Sequence, residues 1–157
     1  MAKTHRLDDL LTEAVQDLAA AARLTTVRLA KIVDRVDDPA LRATFDEVVA
    51  AAHQQVAALE ASGRGEGGPE NLWMAGILDD AKRDARSNAR GPVRDTALLG
   101  AVRKGLAATT VSYDTAVALA HSSAPLARML RAQRTRVRAL DKTLSAALAR
   151  IVAADQL

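Results

Sequence analysis

Ser62-Gly63-Arg64-Gly65-Glu66-Gly67-Gly68-Pro69 interrupts the chain near its middle, and Gly91-Pro92 interrupts it again. Glycine frees the backbone and proline removes a helical donor, so both stretches end regular structure. Between them runs Asn71-Leu72-Trp73-Met74-Ala75-Gly76-Ile77-Leu78-Asp79-Asp80 and on to Ala89. Leu72, Met74-Ala75, Leu78 and Ala81-Lys82 fall on one side at helical spacing, with Trp73 and Ile77 one turn apart. This segment, about 71–89, reads as a short helix enclosed by two breaks, the first of which is the expected flexible loop.

Upstream of the breaks the pattern is also helical. Leu7, Leu11, Ala14, Leu18, Ala21, Thr25, Arg28-Leu29 and Ile32 recur every three or four residues and predict a helix over about 6–36. Asp8 and Asp9 favour its positive N-terminus. Val36-Asp37-Asp38-Pro39 stops it, and Asp38-Pro39 caps and opens a second helix over about 39–62. Its buried stripe is Leu41, Phe45, Val48, Ala52, Val56 and Leu59.

Downstream, a third helix over about 93–120 turns Leu99, Val102, Leu106, Thr109, Tyr113 and Ala116 one way. His121-Ser122-Ser123-Ala124-Pro125 is a turn. A fourth helix, about 125–154, points Leu126, Met129, Gln133, Val137, Leu140, Leu144, Leu148 and Ile151 inward. The layout predicts one all-α domain over residues 1–157, a four-helix bundle with a short extra helix in the crossover. A long crossover is the connection of ferritin-like bundles.

Composition agrees. Of 157 residues, 49% are hydrophobic and 26% charged, which excludes a disordered chain. One Phe, one Trp and one Tyr leave the core to Leu, Val, Ile and Ala. Cysteine is absent, so disulfides, thiolate zinc sites and cysteine nucleophiles are excluded. No signal peptide or membrane span is read, and the expected compartment is the cytoplasm. Residues 1–70 carry 8 basic and 12 acidic side chains, whereas residues 71–157 carry 14 and 7. That asymmetry implies complementary hairpins or a basic face for an anionic partner.

Ferritin-like bundles hold two metals at mid-core, with a Glu from each of two helices and a Glu-x-x-His pair from each of the others. This chain has no Glu-x-x-His. The inward positions at mid-helix are Ala14, Leu18 and Ala21; Val48, Ala52 and Val56; Val102, Leu106 and Thr109; and Gln133, Val137 and Leu140. None is a carboxylate or an imidazole, so no metal or other cofactor is expected. Glu13 and His53 are the weak metal candidates. His53 shares a face with Asp46 and Glu60, but the seven-residue steps between them span about 10 Å, too far for neighbours to ligate one ion.

The residues also resemble the YciF-type ferritin-like family, bacterial proteins linked to stress. The resemblance lies in Leu7-Asp8-Asp9-Leu10-Leu11, in Leu41-Arg42-Ala43-Thr44-Phe45-Asp46-Glu47, in Gln55-Val56 with Leu59-Glu60, in Asn71 to Asp80 and in Val93 to Leu99. It implies a ferritin-like fold over nearly the whole chain. The family's metal positions align with Ala14, Val48, Ala51, Leu106 to Thr109 and Arg136-Val137, so its iron chemistry is not carried over.

One further surface stands out. Arg128, Arg131, Arg134, Arg138 and Lys142 form a basic stripe on the last helix, and such a stripe can track phosphates. The plainer expectation is solvation, or pairing with acidic surfaces of the first two helices. Three functions follow. The first is a non-catalytic scaffold or interaction protein, expected as a homodimer or with an unidentified protein partner. The second is an iron- or manganese-dependent oxidase, or an iron-handling protein, with atypical ligands. The third is an anion or nucleic-acid binder using Arg131, Arg134, Arg138 and Lys142. No Ser or Thr has the His-Asp context of an activated nucleophile, so the expectation leans against an enzyme.

Overall fold

The computed structural model describes residues 3–157, and every regular element in it is helical. Helix α1 (Leu7–Leu24) runs into a π-helical turn (Thr25–Leu29) and then α2 (Ala30–Val33), without a break in helical backbone. Helices α3 (Pro39–Ala61), α4 (Leu72–Ser87), α5 (Pro92–Leu119) and α6 (Ala124–Asp155) follow. The rod from α1 to α2 packs beside α3 and α5, and α6 closes the square against the same two. Helix α4 lies along α5 and touches α1, the π turn and α2. The fold is the expected all-α bundle with a helix in its crossover.

The ends of the helices follow from local chemistry. Asp38 Oδ1 accepts the Leu41 N–H at 2.8 Å, and Asn71 Oδ1 accepts the Met74 N–H at 2.7 Å. Gly91 holds φ at +89°, a conformation that admits α5 directly after a tight turn.

The first rod departs from the expected single α-helix in two ways. Thr25 Oγ1 donates to the Ala21 carbonyl at 2.9 Å and Thr26 Oγ1 to the Arg23 carbonyl at 2.7 Å. Threonines bonded back to the preceding turn loosen the α ladder, and the π turn sits there. The rod ends at Val33, before Val36. Val36 is fully buried in the following turn, where its carbonyl accepts Arg42 Nε at 3.1 Å.

The core is one continuous cluster of Leu, Val, Ala and Ile around Tyr113 and Phe45. Helix phase corrects several positions. Leu7 and Leu72 face solvent, at 63% and 76% exposure. On α6, Leu130 is fully buried, while Met129, Gln133 and Leu148 sit at the edge of the core. Residues three and four apart share a face, so periodicity alone chooses poorly between Met129 and Leu130.

The glycine-rich loop, expected to be flexible, is tied down. Arg64 donates from Nη2 to Asp8 Oδ1 at 2.9 Å and from Nη1 to Thr12 Oγ1 at 2.9 Å, and Gln16 Nε2 reaches the Glu66 carbonyl at 2.8 Å. Gly65 is buried so close to Leu59 that a Cβ would lie 2.5 Å from its carbonyl carbon and oxygen. No helix among the described residues is long and apolar enough to cross a membrane.

Candidate functional site

The centre of the bundle is the place where this architecture hosts chemistry, so its lining decides what the chain can do. Ala21, Ala22 and Thr25 come from the first rod, and Val48, Ala52 and Gln55 from α3. Helix α5 supplies Ala101, Val102, Gly105, Leu106 and Thr109, and α6 supplies Leu140. Met74, Ile77 and Leu78 of α4 cover one side. These walls leave a cavity of about 30 Å³. A water needs roughly 10–15 Å³ on this measure, so the space fits one or two waters and no larger ligand.

Alanine and glycine make the centre narrow. They let the helices approach, and α4 then fills the opening. The sulfur and terminal methyl of Met74 would lie 3.5 Å from a Cβ at Gly105.

The polar groups here are already engaged. Thr25 and Thr109 each donate to the carbonyl four residues back, at 2.9 and 2.8 Å. Tyr113 donates its hydroxyl to Gln55 Oε1 at 3.2 Å, and burial pushes its ionisation well above the ordinary tyrosine range. Gln55 is 6% exposed and is the residue of this centre that inward-stripe reading passes over, because it lies one position off the Ala52–Val56 line. Its signal is chemical: a buried Tyr hydroxyl needs a partner.

A di-metal centre does not fit these residues. Two divalent cations need converging anionic ligands, and an uncompensated buried charge costs many kcal/mol. No carboxylate or imidazole lines the cavity. Among the described residues, no three of His, Cys, Asp and Glu come together in a way that could hold a metal ion.

The two weak metal candidates lie elsewhere. Glu13 is exposed and accepts a bond from Thr4. His53 is exposed on α3, as is Asp46, and Glu60 pairs with Arg23 at 2.8 Å. Register corrects the first rod as well. Ala14 is half-buried outside the cavity, and the wall is built a full turn or more later, at Ala21 and Thr25.

The basic stripe of α6 is in part exposed to solvent and in part paired with α5 rather than with the first two helices. Arg134 and Arg138 share Asp114 Oδ1 of α5, at 2.7 and 3.1 Å. Arg131 and Lys142 are exposed and make no ion pair among the described residues. Arg150, further along α6 and outside the stripe, bonds Asp38 at the start of α3 with its two terminal nitrogens at 2.8 Å each.

A buried carboxylate and two partly buried ones, Asp95, Asp37 and Asp38, gather at one end of the bundle. Asp95, 2% exposed, accepts the backbone N–H groups of Asp37 and Asp38 at 2.9 and 2.8 Å. Asp37 accepts the Gly91 N–H at 2.8 Å, Arg90 Nη2 at 2.9 Å and Arg94 Nη2 at 2.9 Å. The Gly91 N–H foremost, then Arg90, lowers its pKa to about 2. This knot joins the α2–α3 turn to the start of α5. A second carboxylate, Asp17, docks α4 on α1 through Asn71 Nδ2 at 2.6 Å and Trp73 Nε1 at 3.0 Å.

Comparison with known proteins places this geometry. The family described as "Domain of unknown function (DUF892)" matches residues 6–157. Among solved structures, the E. coli stress protein YciF superposes with a TM-score of 0.89 at 22% identity, covering 95% of this chain and 98% of its own. YcfI from Rhodopseudomonas palustris, described as a candidate structural protein, gives a TM-score of 0.84 at 19% identity, covering 90% and 94%. Among curated proteins none matches the chain. The chain belongs to the DUF892 family and has the ferritin-like helical bundle of YciF.

Proposed function

We propose that this protein is a non-catalytic ferritin-like bundle that serves as a stress-associated scaffold or interaction protein. The observation that carries the reading is the lining of the bundle centre. Where the architecture hosts two metals, this chain puts Ala, Val, Leu, Gly, Thr and Met around a space of about 30 Å³. Dioxygen chemistry at a di-metal site needs ligands, charge balance and room for substrate, and these residues provide none of the three. The descriptions of YciF as a stress protein and of YcfI as a candidate structural protein support the same direction.

Metal analysis tests the reading. The protein is expressed with excess iron and manganese, purified without chelator, and measured by plasma mass spectrometry. Far less than one tightly bound ion per chain is expected. About two tightly bound iron or manganese ions per chain, the di-metal stoichiometry, would overturn it, as would ferrous-iron oxidation that Glu13→Ala or His53→Ala abolishes.

A further inference from the structure

A second concave surface lies away from the bundle centre, where the end of the first rod meets α4. Its walls are Arg28, Lys31 and Arg35 on one side and Lys82 and Arg86 on the other, and Asp79 is its one carboxylate. Ile32, Leu78 and Ala85 form the floor, all less than 10% exposed. The groove encloses about 440 Å³, within the roughly 300–1,000 Å³ range of small-molecule sites.

The charge arrangement is unfavourable without a counter-ion. Lys82 and Arg86 are four residues apart on α4, where like charges repel along the helical surface, and Lys31 at the end of α2 and Arg35 just beyond it add a second pair of like charges. Packing α4 against the rod then sets the two cationic pairs facing one another. Arg28 is neutralised by Asp79 at 3.2 Å. The other four make no ion pair and no side-chain hydrogen bond among the described residues. Several other arginines are paired: Arg23, Arg64, Arg83, Arg90, Arg94 and Arg103 each have a carboxylate. Lys31 and Arg86 also stand in the last turns of α2 and α4, where they offset the helix dipoles. Arg35 lies beyond the end of α2 and Lys82 lies mid-helix, so that explanation does not reach them.

We propose that this groove binds a small ligand carrying two or more phosphoryl groups. Guanidinium forks and ammonium groups from two directions match tetrahedral anions, and the walls are spaced by a packed apolar floor rather than by flexible loops. The concavity separates this site from the α6 stripe, which runs along the face of one helix. It also favours a compact polyanion over a duplex, which tracks an extended basic surface.

The test is isothermal titration of the full chain with tripolyphosphate, ATP and adenosine at low salt, repeated at higher salt. Tripolyphosphate and ATP are expected to bind, more weakly as salt rises, and adenosine is expected not to bind. A preference for ATP over tripolyphosphate would mark a nucleotide as the source of the phosphates; equal affinity would mark inorganic polyphosphate. Lys31→Gln with Arg35→Gln, or Lys82→Gln with Arg86→Gln, should each weaken binding about tenfold or more. Arg131→Gln with Arg138→Gln on α6 should leave it unchanged. Asp79→Asn removes the one opposing charge and should tighten binding a few-fold, a gain that mere loss of structure cannot produce. All these side chains are at the surface, so folding is retained. Absence of binding to either polyanion, equal loss in the α6 pair, or retention of a short duplex without tripolyphosphate binding would overturn the proposal.

Discussion

Gly105→Ala reads the centre of the bundle directly. Gly105 is buried mid-way along α5, and its φ is not positive, so alanine meets no backbone strain. A Cβ built there would lie 3.5 Å from the sulfur and methyl of Met74 and 3.7 Å from Ile77 Cγ2, ordinary van der Waals contacts. Two gains then add. Alanine in place of glycine inside a helix stabilises by about 1 kcal/mol. A methyl group buried against apolar neighbours contributes about 0.8 kcal/mol. The sum, about 2 kcal/mol, corresponds to a rise in Tm of roughly 4–8 °C for a chain of this size.

Gly76→Ala is the calibration, because Gly76 is an exposed helical position with nothing within 4 Å of the added carbon. It should gain only the propensity part, roughly 2–4 °C. Gly65→Ala makes the opposite case, since its Cβ would lie 2.5 Å from Leu59 backbone atoms, and it should destabilise by about 1–3 kcal/mol. Thermal unfolding followed by circular dichroism separates the three. A Gly105→Ala variant no more stable than Gly76→Ala would mean that the buried space beside Met74 is not there to be filled. A destabilised one would refute the packing of α4 over α5.

Two further outcomes follow from ionisable groups. Tyr113 is the sole tyrosine, so phenolate absorbance reads it alone. Burial holds its pKa above the ordinary 10.0, so folding favours the neutral form and this stability is complete below 10.0. As pH rises past that value the unfolded state ionises first, and phenolate should appear only together with loss of helical signal. A titration near the ordinary value in the folded protein would contradict its burial against Gln55. At the acid end, Asp37 is depressed from 3.8 to about 2 by the Gly91 N–H and the arginines beside it. Its contribution is complete above 3.8 and is lost as pH falls through about 2. Denaturant midpoints measured over that window should fall with pH in the native chain and fall less steeply in Asp37→Asn, with equal slopes counting against the knot.

The periodicities that marked the four long helices were strong because each long helix buries a stripe. Breaks at Pro39, at Gly63 to Pro69 and at Gly91-Pro92 were legible for backbone reasons. The π turn was not, because the apolar spacing through Thr25–Leu29 is that of an ordinary α-helix. Leu7 and Leu72 were misplaced because a stripe near a helix end can run past the surface that would cover it. The apolar centre was legible by elimination, since no carboxylate occupied an inward position. Its polar pair was not, since Gln55 and Tyr113 lie on helices whose relative height only packing sets. The cationic groove was hidden for the same reason. Lys31 with Arg35 and Lys82 with Arg86 are far apart in sequence and share one surface only once α4 docks through Asp17, Asn71 and Trp73. The α6 stripe was visible because its members are contiguous, although Asp114, which holds Arg134 and Arg138, belongs to another helix.

Placement of charge explains how protein groups alone can hold such a bundle together. Carboxylates converging in a dry centre repel one another unless cations sit between them, so a bundle built that way ties its stability to its metals. Here the centre is neutral, its threonine hydroxyls are satisfied within their own helices, and the Tyr113 hydroxyl is satisfied across to Gln55 on α3. The most deeply buried carboxylate, Asp95, lies at the end of the bundle instead, in a knot where each carboxylate meets backbone N–H groups or arginine: Asp95 on the Asp37 and Asp38 amides, Asp37 on Gly91, Arg90 and Arg94, and Asp38 on Arg150. That end knot ties the α2–α3 turn to α5 and α6, a task that a central metal cluster performs by bridging facing helices. Small residues at Ala21, Ala52, Ala101 and Gly105 then let α4 press Met74 and Ile77 over the space. The residues that leave the centre without ligands therefore also leave it without room for a substrate.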